Sequence, residues 1–150
     1  MSPTIFPPYL ISANILICEK VLKEHDQVFS AIRIIDVFQV QVPDAGQASQ
    51  VNAQAIVSIK TQPEHKHSLK VNLRLIDARG NAKSLFDKDV EVSPVSKYKD
   101  APGGVTMQVR FRLEISLPGI HYLAVDVDGR QVASTPITLL QAPIPEPTLP

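Results

Sequence analysis

Apolar and polar residues alternate without a break over Val105–Ile115 (VTMQVRFRLEI), placing Val105, Met107, Val109, Phe111, Leu113 and Ile115 on one side of a pleat. Thr106, Gln108, Arg110, Arg112 and Glu114 fall on the other side. Successive side chains of an extended chain point to opposite faces, so this period predicts a strand with one dry and one wet face. A dry face of that length needs a second apolar layer. The same period recurs in Val51–Ile59 (Val51, Ala53, Ala55, Val57, Ile59), in Leu69–Leu75 (Leu69, Val71, Leu73, Leu75) and in His121–Val127 (Leu123, Val125, Val127). In Leu85–Val92 the inward set is Phe86, Val90 and Val92, and Asp87, Asp89 and Glu91 point out.

Val28–Val42 (VFSAIRIIDVFQVQV) is β-branched and alternates through Val28, Ile32, Ile34, Phe38, Val40 and Val42, while Ile35 and Val37 load its other face. That pattern predicts one strand covered on both sides near its middle. Before it, Ser12 could cap a helix carrying Ile15, Cys18 and Leu22 on one face. The polar Lys23–Gln27 has turn length, however, so a β-hairpin from Asn14 is the better reading.

Asp77–Asn81 (DARGN) has tight-turn composition. If Gly80 and Asn81 are its two loop residues, Arg74 opposes Asp87, Lys70 opposes Glu91, Val71 opposes Val90 and Leu69 opposes Val92. Lys88 is then left on the inward face and must snorkel out near an edge. Asp128-Gly129 is a strong hairpin signal that sets Val125 against Val132. Beyond it the apolar parity changes near Pro136, which predicts a bulge or a change of sheet on an edge strand. Loops are expected at Pro43–Ser49, Thr61–Lys66 and Ser93–Gly104.

These elements predict an all-β antiparallel sandwich of about eight strands, immunoglobulin-like or jelly-roll-like, over residues 14–141. Pro3, Pro7 and Pro8 make residues 1–13 an extended arm, and residues 142–150 (APIPEPTLP) a proline-rich tail. The composition fits: 44% of the 150 residues are apolar, with no Trp. Fifteen basic residues balance fifteen acidic ones, which supplies no overall field for nucleic acid or an anionic membrane. The lone Cys18 rules out an internal disulfide, and the N-terminus lacks a secretory pattern, so a cytoplasmic protein is expected.

Ile15–Ile35, a strand ILICEKV followed by a polar turn and VFSAIRII, resembles the opening hairpin of a family of small uncharacterised bacterial proteins. GIHYLAVDVDGRQVASTPITL is similar to the closing hairpin of bacterial immunoglobulin-like domains. Both resemblances imply a sandwich, and neither implies an activity.

Candidate chemistry is sparse. Cys18 beside Glu19 could act as a nucleophile with His25, but its ILIC setting is that of a buried apolar thiol. His65-x-His67 supplies two of the ligands a zinc site needs, in a charged loop. Asp126 and Asp128 resemble the opening of a calcium loop, yet the twelfth position from Asp126 is Ile137 rather than Glu. Ser30 and Ser58 lack a nucleophile elbow. The expectation is a non-catalytic protein–protein contact or assembly module that self-associates, without cofactor, metal, nucleic acid or membrane. The alternative is a small-molecule or carbohydrate binder with a loop-end site. Phe6, Tyr9, Tyr98 and Pro136 are the candidate interaction residues.

Overall fold

The computed structural model describes residues 7–25, 28–35, 37–41, 50–63, 68–92, 102–114 and 118–142. These residues form nine strands and no helix: β1 (Leu10–Lys23), β2 (Phe29–Ile34), β3 (Val37–Gln41), β4 (Gln50–Thr61), β5 (Ser68–Ile76), β6 (Ala82–Glu91), β7 (Gly103–Glu114), β8 (Gly119–Val127) and β9 (Arg130–Ala142). One sheet runs β2-β1-β4-β7 and the other β3-β9-β8-β5-β6. The chain is therefore a β-sandwich. No helix among the described residues is long and apolar enough to cross a membrane.

The core follows the period-two pattern. Val57 and Ile59 of β4, with Phe111 and Leu113 of β7, face Leu69, Val71 and Leu73 of β5, Leu123, Val125 and Val127 of β8, and Ile137 and Leu139 of β9. All twelve lie at or below 4% exposure, so the two inner faces are in full apolar contact.

Four details depart from the sequence reading, each for a local reason. The run 28–42 is two strands rather than one. After Ile34 pairs with Cys18 the chain leaves the first sheet, and Val37 begins a parallel ladder with β9 at Thr138. Apolar residues occupy both parities because the segment serves two sheets, with Phe38 buried against the second. The sandwich is accordingly mixed rather than wholly antiparallel.

In the β5–β6 hairpin, the Asp77 carboxylate accepts the amides of Arg79 and Asn81, both at 2.9 Å. The loop is thereby wider than two residues, and Leu85 bulges where Leu73 pairs with Phe86 and Arg74 with Ser84. Lys70 meets Asp89 rather than Glu91, and Arg74 turns to Asp126 instead of Asp87. Lys88 does fall opposite the buried Val71, on an end strand, with its ammonium 5.8 Å from the Phe86 ring.

The bulge in β9 is at Val132, since Val125 pairs with Ala133 and Asp126 with Gln131. Pro136 pairs with Tyr122, and β9 is an inner strand, not an edge. The missing amide of Pro136 is tolerated because the β3 ladder starts only at Thr138. Finally, β1 begins at Leu10, inside the segment read as an arm.

Asp128 and Gly129 both have positive φ, 51° and 82°, as a two-residue turn of the type I′ class requires. Asp128 also ties the chain start to the second sheet. Its carboxylate accepts the Tyr9 hydroxyl and, at 2.9 Å, the Lys70 amide, while Gln62 donates its amide to the Tyr9 carbonyl at 2.7 Å. Burial, then the hydrogen bond and charge of Asp128, push the Tyr9 phenol from 10.0 to about 12. A phenol raised on folding stabilises the native state fully below its unfolded value and loses that contribution as pH rises through its folded value. Ultraviolet titration should therefore show one tyrosine ionising near pH 12, and Tyr9→Phe should remove that late component and flatten the stability loss between pH 10 and 12.

Candidate functional site

Among the described residues β7 closes one side of the first sheet, so its outward side chains have a strand neighbour there on one flank only. Arg110 pairs across the ladder with Gln54 and Arg112 with Asn52, and both arginines are exposed. Two residues apart on a strand, their Cα atoms lie about 6.6 Å from one another on the same face. Among the described residues neither guanidinium is ion-paired. Arg74 of the other sheet offers the contrast: its Nε lies 2.6 Å from Asp126, and its Nη2 donates to Asp126 and Gln131 at 2.9 and 3.0 Å.

The uncharged residues beside the arginine pair are held in place. Gln54 Oε1 accepts the Val21 amide at 2.8 Å and Gln108 Nε2 at 3.1 Å, which fixes the amide plane next to Arg110. Asn52, Gln54, Arg110 and Arg112 surround a surface concavity of about 460 Å³. A second cleft, of about 470 Å³, opens on the same two arginines from the other side, where β7 and the β5–β6 hairpin meet. Leu75, Phe111 and Leu113 line its apolar part, and Gln50, Asn81, Lys83 and Glu114 its polar part.

Asp77 and His121 complete that end of the cleft. Amide donation from Asn81, and then from Arg79, holds the Asp77 carboxyl below its usual range, with His121 nearby adding to the effect. His121 is buried on β8 opposite Ile137. With its carboxylate turned to its own loop, Asp77 adds little to the chemistry of the opening.

The sequence-predicted residues are scattered. Phe6, Tyr98, His65 and His67 lie outside the described residues. Tyr9 serves the Asp128 junction. Pro136 is exposed beside Tyr122 on the outer face of the second sheet. Cys18 is fully buried on β1, with its thiol donating to the Gln54 carbonyl at 3.6 Å, and burial pushes its pKa up. Those properties suit an inert core thiol rather than a nucleophile. Asp126 and Asp128 are engaged by Arg74 and by Tyr9 with Lys70, so neither is arranged as a calcium ligand. Arg110 and Arg112 were legible only as part of a wet face. The signal available was their spacing of two residues opposite a strand, NAQA, that carries no acid.

No protein-family model matches the chain, and no curated protein sequence matches it. Among solved structures, one similar in shape is the alkylpurine DNA glycosylase AlkC of Pseudomonas fluorescens bound to DNA containing an abasic site analog, at 15% identity and a TM-score of 0.42. The match covers 69% of this chain and 27% of the glycosylase chain, so this chain spans about a quarter of its length. That neighbour is an enzyme held on DNA, and two expectations do not stand beside it. The non-catalytic protein-contact module, with its small-ligand alternative, and the partner set that left out nucleic acid are both withdrawn. At this TM-score the likeness itself lends no argument to an activity of this chain.

Proposed function

We propose that the protein binds single-stranded nucleic acid, with phosphates lying along the outer face of β7. The observation that carries this reading is the pair Arg110 and Arg112, exposed, two residues apart on an end strand and without an ion pair among the described residues. A guanidinium binds phosphate oxygens in a planar two-point fork, and amides such as those of Asn52 and Gln54 add contacts to phosphate or sugar. The net charge of zero adds no overall field to the attraction of this patch. Binding is therefore modest, salt-sensitive and indifferent to base sequence.

The strand order supports an immunoglobulin-like reading of the sandwich. β1-β4-β7 and β6-β5-β8-β9 follow the A-B-E and C′-C-F-G orders of such domains. In that frame the arginine-bearing strand is E, at an edge of its sheet among the described residues.

Anisotropy of a labelled oligothymidylate over a salt series tests the proposal. The logarithmic salt slope should become shallower by about 0.7 for each arginine removed in Arg110→Ala and Arg112→Ala. Lys23→Ala, on β1 near the opposite edge, should leave the slope unchanged. An Arg110→Ala/Arg112→Ala protein that binds with the wild-type slope would remove the proposal.

A further inference from the structure

The cleft between β7 and the β5–β6 hairpin has a composition that phosphate contact alone does not use. Its volume of about 470 Å³ falls within the range of pockets that enclose small organic groups. Leu75, Phe111 and Leu113, all below 10% exposure, give it an apolar wall. Gln50 adds a planar amide that can both donate to and accept from the edge of a heterocycle, and Asn81, whose side chain also bonds to Asp77, adds a second amide beside it. Arg110 and Arg112 stand at the opening and also line the concavity on the outer face, so one pair of guanidiniums borders both spaces; with Lys83 they outnumber the carboxylates of Asp77 and Glu114 in the cleft, which leaves it cationic.

We infer that one base of the bound strand leaves the stack and enters this cleft, while the phosphates on either side of it rest on Arg110 and Arg112. The inference rests on the nucleic-acid reading above. Apolar wall, amide rim and cationic mouth match the three parts of a nucleotide in order: π-face, hydrogen-bonding edge and phosphate. A single strand suits the site better than a duplex, since its bases unstack at small cost. No base identity is specified, because the amide of Gln50 can present either a donor or an acceptor.

The cleft can be filled without touching the arginines. Ala82 lies at its rim, exposed, as the first residue of β6, so Ala82→Phe adds bulk to the opening rather than to the core. Two readouts on the full chain separate the levels of the argument. Anisotropy of a labelled thymidine oligonucleotide reports phosphate contact, and fluorescence of a 2-aminopurine placed within that strand reports unstacking. Wild-type protein should bind and raise the 2-aminopurine signal, and should bind the base-bearing strand about tenfold more tightly than a strand of abasic residues. Ala82→Phe should still bind but lose both the fluorescence rise and the tenfold preference. Asn81→Ala should reduce the preference without altering the salt slope.

Binding by anisotropy with no fluorescence change in the wild type, or with the same rise in Ala82→Phe, overturns the cleft assignment and leaves the phosphate reading standing. Absence of binding to either strand overturns both.

Discussion

Leu73→Ala is expected to lower the unfolding free energy by about 2–5 kcal/mol, among the largest losses available from a single aliphatic truncation in this chain. Leu73 is fully buried on β5, between β8 and β6, and belongs to the cluster holding Val57, Val109 and Val125. Neighbours on both sheets fix the walls of the space it fills, so they can relax only in part after truncation. Leu73→Met conserves volume and should cost below about 1.5 kcal/mol. Urea unfolding of the two variants checks the pair. Equal stabilities would mean that β5 does not face the interior with this parity.

Gly104→Ala is expected to cost about 1–3 kcal/mol although it adds one methyl group, because the group has nowhere to go. A Cβ on Gly104 would stand 2.4 Å from the Ile59 carbonyl oxygen and 3.3 Å from the Lys60 Cα. Both are backbone atoms of β4, and a strand paired on both flanks cannot step aside as a flexible side chain would. The damage should be local: faster amide exchange where Lys60 and Thr61 pair with Gly104 and Gly103, with the opposite end of the ladder unaffected. Gly80→Ala makes a useful comparison, since open space surrounds Gly80 and its φ of 87° supplies the whole penalty. Unchanged stability and unchanged exchange in Gly104→Ala would show that β7 does not lie on β4 in this register.

Much of the sandwich could be read from residue order because burial on a pleat has a period of two, which β4, β5 and β7 keep and β8 breaks only at the buried Ala124. The Asp128-Gly129 turn was legible for a different reason: few residues other than Gly, Asn and Asp accept positive φ. Alternation names a face, however, and not a sheet. Nothing between Ile34 and Val37 marks the crossing from one layer to the other, so two strands read as one. Register is harder still, since one side-chain hydrogen bond can reset it. The Asp77 carboxylate does so in the β5–β6 loop, and the single extra residue at Val132 does so in β9.

The candidate site escaped the sequence reading for a related reason. Arg110 and Arg112 look like any solvated pair until β7 is known to be, among the described residues, an end strand whose partners across the ladder from them, Gln54 and Asn52, are uncharged. Gln50, Asn81 and Lys83, which share the cleft, come from segments up to about 60 residues away from β7 and meet it only through tertiary folding. Conversely, the aromatic residues that stood out in the linear pattern did so by rarity. Tyr9 proved to be a fastener of the fold.

The short parallel ladder between β3 and β9 joins positions separated by about a hundred residues, such as Val37 and Thr138. Closing a loop of that length costs on the order of 4 kcal/mol of chain entropy before any contact forms, whereas the β8–β9 hairpin closes over two residues. The time order of assembly follows: hairpins first, the docking of β3 last, with Phe38 as the residue whose burial completes it. Until that moment the unpaired flank of β9 beyond Pro136 is open to a passing chain, which makes the interval before β3 docks the period when a newly made molecule is most prone to aggregate.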